Sequence, residues 1–238
     1  MRISFELDTD LTMNLISNPS VFKPNATTKL LINAVESKVK TKSKILDLGC
    51  GTGVVGIALF EKNLVKGPLY ASDLSIEATD CSKTNFSEYG CIADVRTGSV
   101  FEPWQGEKFD IIVDDVSGIA KEVADVSPWF PGVPCDTGED GTNLILDIIS
   151  NADSYLNSDG LLFFPVLSLS NVDLILQIAE SKFALVEKIQ RIEWPLPTEL
   201  REHIPLLRHL YSKNLIKFEE RFGMVVCFTE VYCASQPR

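Results

Sequence analysis

The segment Ile45-Leu46-Asp47-Leu48-Gly49-Cys50-Gly51-Thr52-Gly53 constrains this chain more than any other. A short apolar run bounded by turn residues reads as a strand buried on both faces, the kind found in parallel sheets covered by helices. The run enters alternating glycines. These allow a tight turn and let a ligand approach the backbone with no Cβ in the way. Residues 53–64 then read as a helix, and Asp73 closes the next apolar run, where a carboxylate can accept hydrogen bonds from ribose hydroxyls. Strand, glycine turn, helix and acid in this order describe a nucleotide-type site at the edge of an α/β sheet.

The rest of the chain repeats the alternation. Residues 3–7 give a weak strand signal through Ile3, Phe5 and Leu7. Pro24 and Asn25 open a helix carrying Leu30, Leu31, Ala34 and Val35. Strands are predicted near 68–73, 93–100, 109–115, 159–167, 183–194 and 223–234. Helices are predicted near 75–90, 142–156 and 171–182, with a mostly helical stretch over 198–220. Residues 115–140 read as loop, with three prolines. The pattern implies βαβ units around a largely parallel sheet. With no repeats or linkers, one domain over 1–238 is the simplest division: an N-terminal strand and entry helix over 1–40, a core over 44–170, and a C-terminal part over 171–238 with a helical cover at 198–218.

Charge and cysteine usage narrow the function classes. Among 238 residues, 33 acids against 22 bases give a net charge of −11. That balance argues against extended phosphate-backbone binding, so a nucleic-acid acceptor is expected to be absent. Six scattered cysteines without a C-x-x-C pair, and two histidines, imply free thiols in a reducing compartment and no metal site. Cys50 reads as a small packing residue. His203 and His209 are six apart and lie on different faces of a regular helix. The N-terminus has no apolar signal core and no run approaches membrane-spanning length, so a cytoplasmic, membrane-free protein, monomer or homodimer, is expected.

Gly51, Gly53 and Gly56 formally satisfy G-x-G-x-x-G, and Asp73 sits at the offset that a dinucleotide site expects. Three features oppose NAD. Asp47 would meet a pyrophosphate with like charge. The element begins only after some forty residues that include a helix. The chain closes on a long strand, a helix and a strand, not on a second mononucleotide-binding half.

D-x-G-x-G-x-G between strand and helix, with an acid ending the next strand, resembles the class I methyltransferases that bind S-adenosylmethionine. The resemblance implies a Rossmann-like α/β fold with helices on both faces of a seven-stranded, mostly parallel sheet. Its last strand would be antiparallel, beside the long strand at 182–194. It also implies S-adenosylmethionine as cofactor. Asp47, Gly49, Cys50, Gly51 and Gly53 would line the methionine part, Asp73 and Leu74 would meet the ribose, and Ser99 and Val100 the adenine. Many relatives carry Asp where this chain has Ser99. Within the class, Phe22, Pro24 and Thr28, the run Asp73-Leu74-Ser75-Ile76-Glu77-Ala78, and Gly138-Glu139-Asp140-Gly141 resemble the release-factor glutamine methyltransferases and their small-domain relatives.

Those relatives follow the fourth strand with N-P-P-Y, whose asparagine and aromatic ring grip a planar amide or amino nitrogen. Here the sequence is Asp115-Val116-Ser117-Gly118. Amide clamping is therefore not supported, and a small molecule or a protein side chain is the expected acceptor. Asp115 is the candidate proton acceptor. Asp114 beside it points to the opposite face of a strand, so at most one of the pair faces the cofactor. Phe22, Pro24, Thr28, Ser117, Trp129 and Phe130 are candidate acceptor contacts, although Trp129 and Phe130 can equally anchor their loop on the core. Other readings stay open: a non-catalytic subunit that kept the fold, an rRNA or tRNA methyltransferase, or an NAD enzyme.

Overall fold

Alternation along single strands decides the layering. The strand β3 (Ile45–Leu48) is buried along its whole length. Its successive side chains point to opposite faces, and Ile45 and Leu46 enter two different hydrophobic clusters. The strand therefore needs cover on both sides. The first cluster takes α1 (Ala26–Lys38) and α2 (Val54–Glu61), through Leu31, Val35, Ile57 and Leu59. The second takes α5 (Asn143–Asn151) and α6 (Val172–Lys182), through Ile145, Ile148, Ile149 and Ile175. Each fully buried aliphatic side chain of this kind contributes about 1.5–3 kcal/mol against leaving it exposed.

The computed structural model describes residues 1–9, 11–116, 118–130, 133 and 137–238. The remaining strands of the main sheet are β4 (Leu69–Asp73), β5 (Ala93–Thr97), β6 (Phe109–Asp114), β7 (Leu156–Leu167), β8 (Phe183–Pro195) and β10 (Met224–Pro237). Their order is β5-β4-β3-β6-β7-β10-β8, with the short β9 (Glu219–Arg221) added alongside β10. The neighbours from β5 to β7 are parallel. β10 runs antiparallel between β7 and β8, and so lies beside the long strand as the resemblance implied. β9 makes the sheet eight-stranded where seven strands were expected.

After β3 the chain passes through α2 to β4 on one side, and it later returns on the other side as β6. Such a reversal leaves a crevice at the carboxyl ends of the central strands, where open α/β sheets hold ligands. Leu48 lies opposite Asp114 and next to Ser72, so the ends of β3, β4 and β6 stand level at that crevice.

Three expectations are revised. The N-terminal strand is half of a hairpin of β1 (Arg2–Glu6) and β2 (Thr12–Ile16), a separate two-stranded sheet that buries Leu7, Met13 and Leu15 in the first cluster. The expected loop over 115–140 holds a short helix, α4 (Lys121–Val126), which buries Val123 and Ala124 and escaped notice because two turns give too little periodicity. The stretch 198–218 is a 3-10 turn over Thr198–His203 and then α7 (Ile204–Ser212). It ends there because Asn214 takes a positive φ of 60°. Leu200, Leu207 and Leu210 are buried in a third cluster with Cys227, so this segment covers the β10 end of the sheet.

Candidate functional site

The glycine loop owes its shape to backbone conformations that side chains resist. Gly49, Gly51 and Gly53 have φ of 69°, 51° and 80°, the left-handed region that glycine enters without penalty. The amides of Gly49 and Cys50 both donate to the Ser72 carbonyl, which ties the loop to the end of β4. A Cβ on Gly49 would lie 2.8 Å from Val116 Cγ2, and one on Gly53 2.9 Å from the Phe86 ring. Gly51 differs: the nearest heavy atom to its Cβ position is 3.9 Å away. Packing dictates Gly49 and Gly53, whereas Gly51 has room for a Cβ, in ordinary contact with the Phe22 and Gly49 carbonyl oxygens, beside an open space.

That space is a cavity lined by Phe22, Pro24, Thr28, Gly49, Cys50, Gly51, Asp73, Leu74, Ser99, Val100 and Asp115. Eleven sequence-selected residues thus converge on one crevice. Ser117 and the stretch around Pro131, Pro134 and Cys135 lie outside the described residues. Asp73 is held by two backbone donors, Gly51 N–H to Oδ2 at 3.0 Å and Ser75 N–H to Oδ1 at 2.9 Å. Partial burial raises its pKa against those bonds. Val100 adopts φ of 45° on the cavity wall, an unfavourable conformation for a β-branched residue.

Asp47 and Gly53 do not line the cavity. Asp47 points the other way from the crevice floor: its Oδ2 accepts the Gly56 amide at 3.0 Å in the first turn of α2. Its Oδ1 has no partner among the described residues, and the residue is completely buried. Burial first, and repulsion from Asp115 second, push its pKa well up. Cys50 is buried, and desolvation raises its thiol well above the ordinary range, which fits a packing role. The other described cysteines are buried free thiols too.

The two acids ending β6 part company as the strand alternation requires. Asp114 faces the second cluster with no exposure, accepts the Val116 amide at 2.8 Å, and has no partner for Oδ2 among the described residues. Burial raises it to about 8, with the charge of Asp115 adding to the rise. Asp115 faces α1 instead. Asn25 caps that helix by accepting the Thr27 amide, and Thr28 returns its hydroxyl toward the cap. The same Thr28 hydroxyl donates to Asp115 Oδ2 at 2.9 Å. Desolvation raises Asp115 to about 7, and the Thr28 bond pulls the other way.

Phe22, Asp115 and Val116 also line a second cavity, of about 250 Å³. Its walls include Trp129, Phe130, Trp194, Ile119 and Ile192. The rings stand in pairs: Phe22 and Phe130 at 5.4 Å between centroids, Trp129 and Trp194 at 5.7 Å and perpendicular. Trp194 Nε1 donates to Thr229 Oγ1 at 3.1 Å, which fixes that ring. Sequence reasoning missed Trp194 because β8 approaches Trp129 only through the antiparallel insertion of β10, a long-range pairing with no local signal. Among the described residues, no three His, Cys, Asp or Glu side chains group as metal ligands. No helix of the described residues is long and apolar enough to cross a membrane.

Comparison with known proteins agrees with this geometry. The model of the methyltransferase small domain matches residues 12–115, which run from β2 through the glycine loop to the acid after β6. A 16S rRNA N2 G1207 methyltransferase of T. thermophilus, solved with AdoMet and guanosine, superposes with a TM-score of 0.63 at 14% identity, covering 99% of this chain and 50% of that one. The fold is that of the class I methyltransferases. S-adenosylmethionine is the cofactor that goes with this fold. The release factor glutamine methyltransferase of Geobacter sulfurreducens is 27% identical over 156 residues, covering 62% of this chain and 54% of that protein. The ribosomal RNA small subunit methyltransferase C of Actinobacillus pleuropneumoniae is 30% identical over 151 residues, covering 62% and 40%. The chain spans about half the length of these curated methyltransferases.

These relatives overturn one expectation. Net charge was taken to set a nucleic-acid acceptor aside, yet ribosomal RNA methyltransferases stand among the similar proteins. The error is physical: net charge sums the whole surface, whereas a methyltransferase holds a single acceptor group at the mouth of its cofactor crevice. A total of −11 says little about that mouth.

The residues present fit an adenosyl cofactor. An uncrowded cradle opens over Gly51. On the wall of the same cavity, each oxygen of Asp73 accepts one backbone bond and keeps lone pairs free for hydroxyl donors.

Proposed function

We propose that this chain is an S-adenosylmethionine-dependent methyltransferase, with residues 1–238 acting as one domain. When bound, S-adenosylmethionine supplies a methyl group already activated for displacement. The chain's own task is then to align the acceptor and to keep water out. In this reading Asp73 and Leu74 hold the ribose, Ser99 and Val100 border the adenine, and Gly49, Cys50 and Gly51 pass beneath the methionine part. Asp115 stands between the two cavities as proton acceptor for the group that is methylated. A small molecule or a protein side chain occupies the second cavity.

One observation carries the reading. Two cavities meet at Asp115, one lined by the glycine loop and Asp73, the other by aromatic rings. A carboxylate raised to about 7 at their junction is placed to take a proton near neutral pH. Calorimetric titration with S-adenosylhomocysteine tests the cofactor half: saturable binding is expected, weakened at least about tenfold in Asp73→Ala. Binding of NAD(H) with none of S-adenosylhomocysteine would overturn it. A second reading, a non-catalytic cofactor-binding subunit, draws on the lost N-P-P-Y clamp, since Asp115 and Gly118 stand where asparagine and tyrosine would be. Radiolabelled methyl incorporation into protein, nucleic-acid and small-molecule fractions of an extract separates the two.

A further inference from the structure

Resting on the reading of the second cavity as the acceptor site, we infer that this cavity selects a cationic amine borne on an apolar or aromatic body. The amine would be held by Asp115 and the faces of the surrounding rings. Four aromatic side chains, Phe22, Trp129, Phe130 and Trp194, share the walls with aliphatic ones. Asp115 is the only ionisable side chain among the described residues that line the cavity, and none of the described Lys, Arg or His residues lines either cavity. One carboxylate oxygen is held by Thr28, and the other has no protein partner among the described residues.

Three polar side-chain atoms near the walls are already engaged: Trp194 Nε1 bonds Thr229, Asn25 Oδ1 caps α1, and Thr27 Oγ1 lies 3.5 Å from Thr229 Oγ1. A carboxylate only accepts hydrogen bonds, whereas an amide offers a donor and an acceptor together. The exchange of asparagine for Asp115 therefore removes the match to a glutamine-type amide and creates one to a group that only donates. Ring faces attract cations, more strongly when desolvated, and a charge-assisted bond is about twice as strong as a neutral one. A carboxylate or phosphate ligand would meet Asp115 with like charge and no counter-ion among the described residues that line the cavity.

The test uses the full chain and three probes built on the same phenylethyl body: phenethylamine, 2-phenylethanol and 3-phenylpropionate. Trp129 and Trp194, two of the three tryptophans, line the cavity, so intrinsic fluorescence excited at the red edge of tryptophan absorption reads occupancy. Phenethylamine should bind on the order of tenfold tighter than the alcohol, and the propionate more weakly than either. Asp115→Asn, a change of nearly equal shape, should bring the amine down to the alcohol's affinity while leaving the alcohol unchanged. Trp194→Phe, which keeps an aromatic wall, should retain the amine preference. A propionate that binds as well as the amine, or an amine preference that survives Asp115→Asn, would overturn the inference. Calorimetry with S-adenosylhomocysteine on the same samples separates the two claims. Amine selectivity without cofactor binding would sink the methyltransferase reading and support the cavity's preference; cofactor binding without selectivity would do the reverse.

Discussion

Asp114 should make this fold lose stability as pH rises, and replacing it by asparagine should remove that loss. The side chain is fully buried, its Oδ2 has no partner among the described residues, and its pKa is raised to about 8. An unfolded aspartate titrates near 3.9. Above that value the unfolded chain releases a proton that the native state keeps, so stability falls with pH through the window from about 4 to beyond 8. Integrating between pH 5 and pH 9 with these two pKa values gives a loss of about 4 kcal/mol from this residue. For a chain of this size each kcal/mol moves the melting temperature by about 2 °C, so the loss is about 8 °C. In Asp114→Asn the new side chain would still accept the Val116 amide through its carbonyl but could not ionise. Calorimetric melting of both proteins at pH 5 and pH 9 should therefore give nearly equal values at pH 5 and a gap of about 8 °C at pH 9. Asp47 and Asp115 are also raised and titrate in both proteins, so only their Coulombic coupling to Asp114, smaller than its burial, remains in the difference. Parallel pH profiles would refute the reasoning, because they would mean that Asp114 is ionised in the folded chain.

The glycines should separate by mechanism. Gly49→Ala meets both a φ of 69° and Val116 at 2.8 Å, and it should cost about 2–4 kcal/mol in thermal or urea unfolding. Gly51→Ala meets only the strained φ of 51°, and it should cost about 1 kcal/mol while weakening S-adenosylhomocysteine binding in calorimetry. Equal losses of stability would contradict the packing argument. Thr28→Val removes the hydroxyl that stabilises the charged form of Asp115, so the midpoint of pH-dependent phenethylamine binding should move above its wild-type position near pH 7. A midpoint that stays put or falls counts against the Thr28–Asp115 coupling. Asp73→Ala should free the Gly51 and Ser75 amides it now holds and leave the core intact, which hydrogen exchange would register as faster exchange confined to the two loops.

The fold was legible wherever its determinants were local. The fully buried β3, the glycine turn and the alternation of elements gave the layers, and β10 fell beside β8 as the resemblance implied. The lining of the first cavity was legible for the same reason, since Asp73 ends a strand and Gly49, Gly51 and Ser99 sit on the turns that follow strands. The lining of the second cavity was less so. Phe22, Trp129 and Phe130 could be singled out as exceptional residues on loops, but Trp194 comes from the far edge of the sheet and meets Trp129 only in three dimensions. α4 and the β1–β2 hairpin were missed because short elements are decided by what they pack against.

Asp47 and Gly53 show why motif membership and ligand contact are separate properties. Both belong to the glycine motif, yet neither lines the cavity, because each is committed to packing: Asp47 to the first turn of α2, Gly53 to the ring of Phe86. Asp47 is instead kept protonated: it shares the α1–α2 face with Asp115, and repulsion between the two is the second cause of its raised pKa, after burial. Among the described residues, the acid at the junction of the two cavities is therefore Asp115 alone. In its ionised form it favours a ligand that brings positive charge to that junction and resists one that brings negative charge. The same electrostatics support a sulfonium cofactor in the first cavity and an ammonium acceptor in the second.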